Sequence, residues 1–297
     1  FTPAARLANV QPSATLALAQ RARELRAAGH DVVGLTAGEP DFLPAPHVIR
    51  AAHDAMTQGL ARYTAVSGLP ELRDAIAKRH HAIDGIPWAQ DEIVVTTGAK
   101  QAIANALGAI LDPDDEVVIV APYWLSYADM TFLFGGKPVI VPTAASDGFA
   151  PRPEALEAAI GARTKVLILN SPSNPAGIIY DAPTLTAIAG VLRRHPHVFV
   201  LLDDIYRRLT FGGRGPALSL LAVSPDLVPR AIVIDGCSKT YAMTGYRLGW
   251  SAAPKAVSSA MAKVQGQTTS SAPATSQYAA LAALTGDQGW VLSLIHI

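Results

Sequence analysis

The chain is short of charge and of cysteine, and each shortage excludes something. Of 297 residues only 16% are charged, with 24 Lys and Arg against 24 Asp and Glu. No excess of either sign exists to drive binding to nucleic acid or to an anionic membrane surface. One cysteine, Cys237, excludes an internal disulfide framework and fits a reducing compartment. It reads as a small buried residue rather than a nucleophile. No uninterrupted apolar stretch approaches the ~20 residues of a spanning helix. The opening Phe1-Thr2-Pro3-Ala4-Ala5 lacks the basic flank and apolar core of a secretion signal, so a cytoplasmic protein is expected. The histidine groups His80-His81 and His195-Pro196-His197 match no helical metal pair and read as helix ends and turns, so no metal is expected.

The residues that are abundant are apolar and regularly punctuated. Half of the chain is hydrophobic, enough for one large α/β domain or two smaller ones. Short runs rich in valine and isoleucine recur at residues 93–95, 117–120, 139–141, 166–169, 198–202 and 231–234. Near-continuous runs of this kind suit strands buried on both faces, as in a parallel sheet. Helical patterns lie between most of them, at 69–82, 100–111, 153–160 and 183–194, which predicts a mostly parallel α/β sheet flanked by helices. Near the start, Ser13 can cap a helix with Leu18, Ala22 and Leu25 along one face, ended by Gly29.

In open α/β sheets ligands bind beyond the carboxyl ends of the strands, so the residues after each run are informative. IVV leads to Thr96-Thr97-Gly98-Ala99-Lys100, and VVIV to Ala121-Pro122-Tyr123-Trp124. VLIL leads to Asn170 and Asn174, VFVLL to Asp203, Asp204 and Tyr206, and AIVI to Ser238 and Lys239. An anion-binding turn, a flat aromatic, an amide, a carboxylate and a lysine together describe a site for a phosphorylated aromatic cation. Pyridoxal phosphate is such a group. Lys239 can hold its aldehyde covalently, Asp203 can keep its pyridine nitrogen protonated, and Tyr206 and Asn174 can reach its ring hydroxyl. Trp124 can stack on the ring. Gly98, Ala99 and Lys100 open a helix whose N–H groups, with the Arg247 fork, suit the phosphate.

Singly, each residue has a plainer reading. A lysine after a strand is usually solvated, and Lys100 can point to solvent from the first turn of its helix. Trp124 and Tyr63 can be ordinary core or half-buried aromatics. Asp203-Asp204 can be the magnesium-binding strand end of a phosphate-loop ATPase, but no G-x-x-x-x-G-K-[ST] loop exists here. Arg247 can pair with a surface carboxylate, although Gly245 and Gly249 beside it point to close backbone approach. It is the joint occurrence in strand order that favours the cofactor.

With these residues in view, the chain resembles a class I aminotransferase of pyridoxal-phosphate fold type I, in the bacterial aspartate aminotransferase subgroup. The matching stretches are PSATLAL (12–18), TAGEPDF (36–42), YTAVSGLPEL (63–72), TGAKQA (97–102), PYWLSY (122–127), NSPSNPAG (170–177), DDIY (203–206) and SKTYAMTGYRLG (238–249). The resemblance implies catalytic roles for Lys239, Asp203 and Tyr206. It implies a cofactor set of Gly98, Ala99, Lys100, Trp124, Asn174, Asp203, Tyr206, Ser238, Lys239 and Arg247, with Tyr63 reaching the phosphate in the partner subunit of a homodimer. Substrate contacts are implied for Gly38, through its backbone N–H near the α-carboxylate, and for Trp124 and Asn174. Lys100, with Ser13 or Thr15, would meet a side-chain carboxylate. Amino acids and 2-oxo acids are the implied partners, with aspartate as donor and 2-oxoglutarate as acceptor. An aromatic, prephenate or alanine aminotransferase, or a truncated non-catalytic domain, are the alternatives.

Ala99, Ala176, Asp204 and Tyr246 depart from the commoner glycine, threonine, glutamate and tryptophan, and none removes a catalytic group. Family members also continue into a C-terminal segment that completes a small domain and supplies an arginine for the substrate α-carboxylate. This chain begins at Phe1 and stops before that segment, so truncation is expected. Residues 1–38 are then the first piece of the small domain, and 39–297 the large cofactor domain.

Overall fold

The apolar runs form strands because both of their faces are covered. In the computed structural model, which describes all residues except 13, 35–37, 213–214 and 296–297, they become β1 (Ile93–Thr96), β2 (Glu116–Val120), β3 (Lys137–Val141), β4 (Thr164–Asn170), β5 (Phe199–Asp203) and β6 (Ala231–Gly236). A further strand, β7 (Gly249–Ala252), is not legible in the sequence. Gly-Trp-Ser-Ala contains no β-branched residue, and pairing on both sides places it instead. The strands join into one sheet in the order β1-β7-β6-β5-β4-β2-β3. β7 runs antiparallel to both of its neighbours, and the remaining pairs are parallel.

Alternate strand residues feed two cores. Val117, Ile119, Val166, Ile168, Leu201 and Ile232 pack on one face, with Ile103 and Leu107. Val118, Leu167, Leu169, Val200, Leu202 and Val233 pack on the other, with Leu72, Ile76, Ile188 and Leu192. The helices are α1 (Ala14–Ala27), α2 (Pro46–Thr57), α3 (Pro70–Asp84), α4 (Ala99–Ile110), α5 (Ser126–Leu133), α6 (Pro153–Ala159), α7 (Ala182–Arg194), α8 (Leu220–Val223), α9 (Lys255–Gly266), α10 (Ala274–Thr285) and α11 (Gly289–Ile295). Their ends follow local chemistry. Pro70 occupies the first turn of α3, and Gly85, at φ 71°, closes it in the left-handed region. Asp181 caps α7 by accepting from the Thr184 N–H at 2.9 Å.

The helix expected near the start forms as α1, and along its apolar stripe Ala22 is buried while Leu18 is 57% exposed. Ser13, its expected cap, lies outside the described residues. His80 lies near the C-terminal end of α3 and is buried, its Nε2 accepting from the Trp250 indole N–H at 3.1 Å. Among the described residues, no helix is long and apolar enough to cross a membrane, and no group of three His, Cys, Asp or Glu is placed to hold a metal.

Candidate active site

The parallel strands end on one side of the sheet, and their following turns line a cavity of about 880 Å³. Its lining includes Gly38, Lys100, Trp124, Asn174, Asp203, Tyr206, Ser238, Lys239 and Arg247, delivered from turns far apart in the chain.

Asp203, the last residue of β5, is almost wholly buried. Its Oδ2 accepts from the Tyr127 hydroxyl at 2.6 Å, and its Oδ1 from the Ile205 N–H at 3.4 Å. Among the described residues it makes no ion pair. Burial therefore pushes its carboxyl up to about 6, against the opposing pull of the Tyr127 hydrogen bond. The Tyr127 phenol is itself raised by burial and by Asp203, so it remains a donor. Asp204 turns instead toward Arg207, 3.7 Å away, and burial raises it to about 7.

Lys239 follows β6 on a turn. Its ammonium donates to the Gly38 carbonyl and lies 5.8 Å from the Tyr206 ring centre. Burial lowers its pKa, Glu39 opposes that shift, and Arg247 adds to it. Gly38 thus presents its carbonyl to the lysine. A Cβ at that position would come within 3.7 Å of Lys239 Nζ and 3.8 Å of the Tyr206 hydroxyl. The Asn174 amide is 3.5 Å from the Tyr206 hydroxyl. Asn174 is in turn set by Asn170, which accepts from its N–H at 2.7 Å and donates to the Asp203 carbonyl at 2.7 Å. Asn170 and Tyr127 are positioning groups that sequence reasoning left without a role. Asn170 was legible as the residue that ends an apolar run, and Tyr127 only as part of the PYWLSY stretch.

The opening of α4 suits an anion. Gly98 caps it at φ 81°, and the Ala99 and Lys100 N–H groups donate to no other described residue. A Cβ on Gly98 would stand 2.7 Å from Arg247 Nη2, so only glycine lets the guanidinium lie against the helix start. Arg247 is itself left-handed, at φ 50°, and its Nη1 donates to the Thr244 carbonyl at 2.8 Å. Free amides, a helix N-terminus and a guanidinium fit a phosphate, while a buried carboxylate without a cation fits a protonated ring nitrogen. The residues present fit pyridoxal phosphate.

At the rim, Lys100 Nζ lies 4.8 Å from the Trp124 ring centre, and Trp124 meets Tyr127 edge-on at 5.4 Å. The plain reading of Lys100 as a freely solvated lysine is thus too simple. Tyr63 is not half-buried. It is 97% exposed and is not among the residues lining this cavity. Ser13 lies outside the described residues, and so does the side chain of Thr15. Cys237 is fully buried, and burial pushes its thiol far above its ordinary value.

Residues 30–292 match the family described as Aminotransferase class I and II. The aspartate/prephenate aminotransferase of Cereibacter sphaeroides is 47% identical over 285 residues, covering 95% of this chain and 70% of that protein. The aspartate aminotransferase of Geobacillus stearothermophilus is 44% identical, over 96% of this chain and 72% of its own length. The crystal structure of the Rhizobium meliloti aspartate aminotransferase superposes with a TM-score of 0.95 at 43% identity, covering 99% of this chain and 74% of that one. The Thermus thermophilus enzyme with maleate gives 0.94 at 40% identity, over 99% and 76%. Fold, strand-end chemistry and relatives agree, and the chain belongs to the class I and II aminotransferases.

Proposed function

We propose that the protein is a pyridoxal-phosphate-dependent aminotransferase that moves an amino group between aspartate and 2-oxoglutarate. The observation that carries this is the pairing, across one cavity, of a buried carboxylate that makes no ion pair among the described residues with a lysine whose pKa burial has lowered. Lys239 would hold the cofactor. Asp203 would face its ring nitrogen, Tyr206 and Asn174 its ring hydroxyl, and Trp124 its ring face. The Ala99 and Lys100 amides, Ser238 and Arg247 would hold its phosphate. When bound, the cofactor supplies an electron-accepting ring that takes up the charge left when substrate Cα loses its proton.

The chain's own residues do the rest. In its neutral form, which burial favours, Lys239 would accept the substrate Cα proton at Nζ and pass it on to the cofactor rather than back to Cα. Asp203, once a cation lies beside it, stays ionised and holds that charge in place. The Asn174–Tyr206 contact fixes the phenol near Lys239 Nζ. The carbonyl of Gly38, facing the same nitrogen, marks where the substrate end of the cavity begins.

Aspartate as donor is supported by the relatives' names, by maleate, a dicarboxylate, in one of the solved structures, and by Lys100 at the cavity rim. Prephenate as an alternative acceptor is supported by relatives described as aspartate/prephenate aminotransferases. The exposed Tyr63 supports a homodimer in which it reaches the partner's cofactor site. The exposed side of α1 supports assigning residues 1–38 to a small domain and 39–297 to the large one.

Lys239→Ala is expected to abolish transamination with the fold intact, because cofactor attachment and proton transfer lose the same amine. Visible absorbance of the purified protein, followed by borohydride fixation and peptide mapping, checks the assignment independently. Label on any other lysine, or near wild-type turnover in Lys239→Ala, overturns it.

A further inference from the structure

The lysine turn is held from beneath by polar groups that the proposed chemistry does not use. Arg79, on the inward face of α3, is nearly buried. Its Nη2 reaches Asp235 Oδ2 at 3.3 Å, and its Nη1 donates to the Tyr241 hydroxyl at 3.1 Å. Its guanidinium also lies 5.7 Å from the Tyr241 ring centre. Asp235 precedes the turn and accepts from the Gly236 N–H at 2.7 Å, while Tyr241 closes it. One planar fork therefore bridges both ends of the segment that carries Ser238 and Lys239. The turn's own backbone ties are few: Cys237 N–H to the Leu248 carbonyl and Tyr241 N–H to the Cys237 carbonyl, both at 3.1 Å, and Ala242 N–H to the Lys239 carbonyl at 3.3 Å. Ala242 is also left-handed, at φ 53°.

We infer that Arg79, acting through Asp235 and the Tyr241 hydroxyl, is a positioning residue that sets the direction from which Lys239 enters the cavity. Apolar packing around Tyr241 would stabilise the turn without specifying its orientation, because the hydrophobic effect is non-directional. A buried ion pair adds little stability over apolar residues of the same volume, whereas its hydrogen-bond geometry has a defined direction. The same helix continues to Asp84, which pairs with Arg207 directly after Tyr206. A single element thus backs the turns bearing both the proposed base and its phenol neighbour.

This inference rests on Lys239 being the cofactor lysine, so the experiment separates the two. In the purified protein, Tyr241→Phe removes one oxygen and keeps the ring, and Arg79→Lys keeps the charge and loses the fork. Deuterium uptake over residues 237–242 is measured without cofactor, and kcat and KM are measured with it. Arg79→Lys is expected to raise amide exchange in the turn about tenfold, the scale of one lost charge-assisted hydrogen bond. Tyr241→Phe, whose hydroxyl also accepts from Arg208 at 3.2 Å and donates to Gln288 at 3.0 Å, should raise it at least as much. Each should lower kcat about tenfold with KM changed less than about twofold. Wild-type exchange and kcat in Tyr241→Phe would overturn the inference. So would a changed unfolding rate in either variant with the turn's exchange and kcat unmoved, since that describes a merely structural role. If borohydride fixes no cofactor to Lys239 in the wild type, the functional reading fails, and with it the inference, whatever the exchange data show. If Arg79→Lys does not fold, Asp235→Asn, which weakens the other contact of the Arg79 fork, takes its place beside Tyr241→Phe, and wild-type exchange and kcat in either overturns the inference.

Discussion

Asp203 and Asp84 are both buried carboxylates, and they titrate in opposite directions. Burial raises both. At Asp84 the neighbouring His80, 3.8 Å away, and the paired Arg207 guanidinium outweigh it and hold the group below the ordinary carboxylate range. At Asp203 a phenol and a long backbone contact do not, and it rises to about 6. Asp84 lies in a network completed within the chain. Asp203 lines a cavity and, among the described residues, has hydrogen bonds but no ion pair. Unpaired buried charge is costly, so such a group points to a partner that arrives from outside. The difference separates a structural carboxylate from one placed for function without appeal to any relative.

The comparison can be broken most decisively at Asp203. Asp203→Asn keeps an acceptor for Tyr127 and removes the charge. Turnover should fall on the order of 10³-fold, as when a charge-stabilising group is taken from a dry site. An N-methylated cofactor, whose ring charge is fixed, should recover part of that loss. Equal loss with both cofactors would mean that Asp203 does not act on the ring nitrogen.

At Asp84 the same substitution should act on stability. Asp84→Asn leaves the buried Arg207 with Asp204, 3.7 Å away, as its remaining carboxylate. The loss should therefore approach but not exceed the roughly 3–5 kcal/mol of a fully broken buried pair. Urea unfolding followed by fluorescence would show it. The depressed carboxyl contributes stability that is present above its unfolded pKa and is lost as pH falls, so the variant's deficit should shrink in acid. A deficit unchanged at low pH would show that Asp84 is held by shape rather than by charge.

Without cofactor, Asp203→Asn should do the reverse. A carboxyl raised to about 6 binds its proton more tightly in the folded state, so stability declines as pH rises from about 4 through 6 and stays lower above. Removing the charge should recover about 1–2 kcal/mol at pH 7 to 8 and nothing near pH 4, less than the full shift implies because the amide also needs partners. Loss of stability at neutral pH would mean that Asp203 already has a partner within the fold.

The Asp203 side of this contrast was legible in the sequence, and the reason is geometric; nothing singled out Asp84. Parallel strands deliver the residues after each apolar run to one side of a sheet, so reading run ends recovered Asn174, Asp203, Tyr206 and Lys239 as neighbours. The hidden part depends on contacts between distant side chains. Tyr127 meets Asp203 across 76 positions, and Arg79 meets Tyr241 across 162. No local period or turn signal encodes either pair. β7 was hidden for a related reason, since its neighbours rather than its own residues make it a strand. The apolar spacing of Leu18, Ala22 and Leu25 described a helix correctly but not its burial, because spacing reports a face and not the surface that covers it.

Lys100 offers the smallest and most specific test, since it is charged like the buried groups yet sits at the rim. Burial and the nearby Arg247 lower its pKa, and its ammonium rests over Trp124. Much of its side chain remains exposed, so solvent screens the attraction it can offer a bound anion. Lys100→Met keeps a flexible apolar chain against Trp124 and removes the charge. For aspartate, kcat/KM should fall about tenfold, while alanine and phenylalanine change less than about twofold. Raising the ionic strength should narrow the wild-type preference for aspartate, because an exposed charge is screened within about 10 Å at 0.1 M salt. If aspartate and alanine lose kcat/KM equally, Lys100 serves the cofactor or the fold rather than the substrate's side chain, and the donor assignment would rest on the relatives alone.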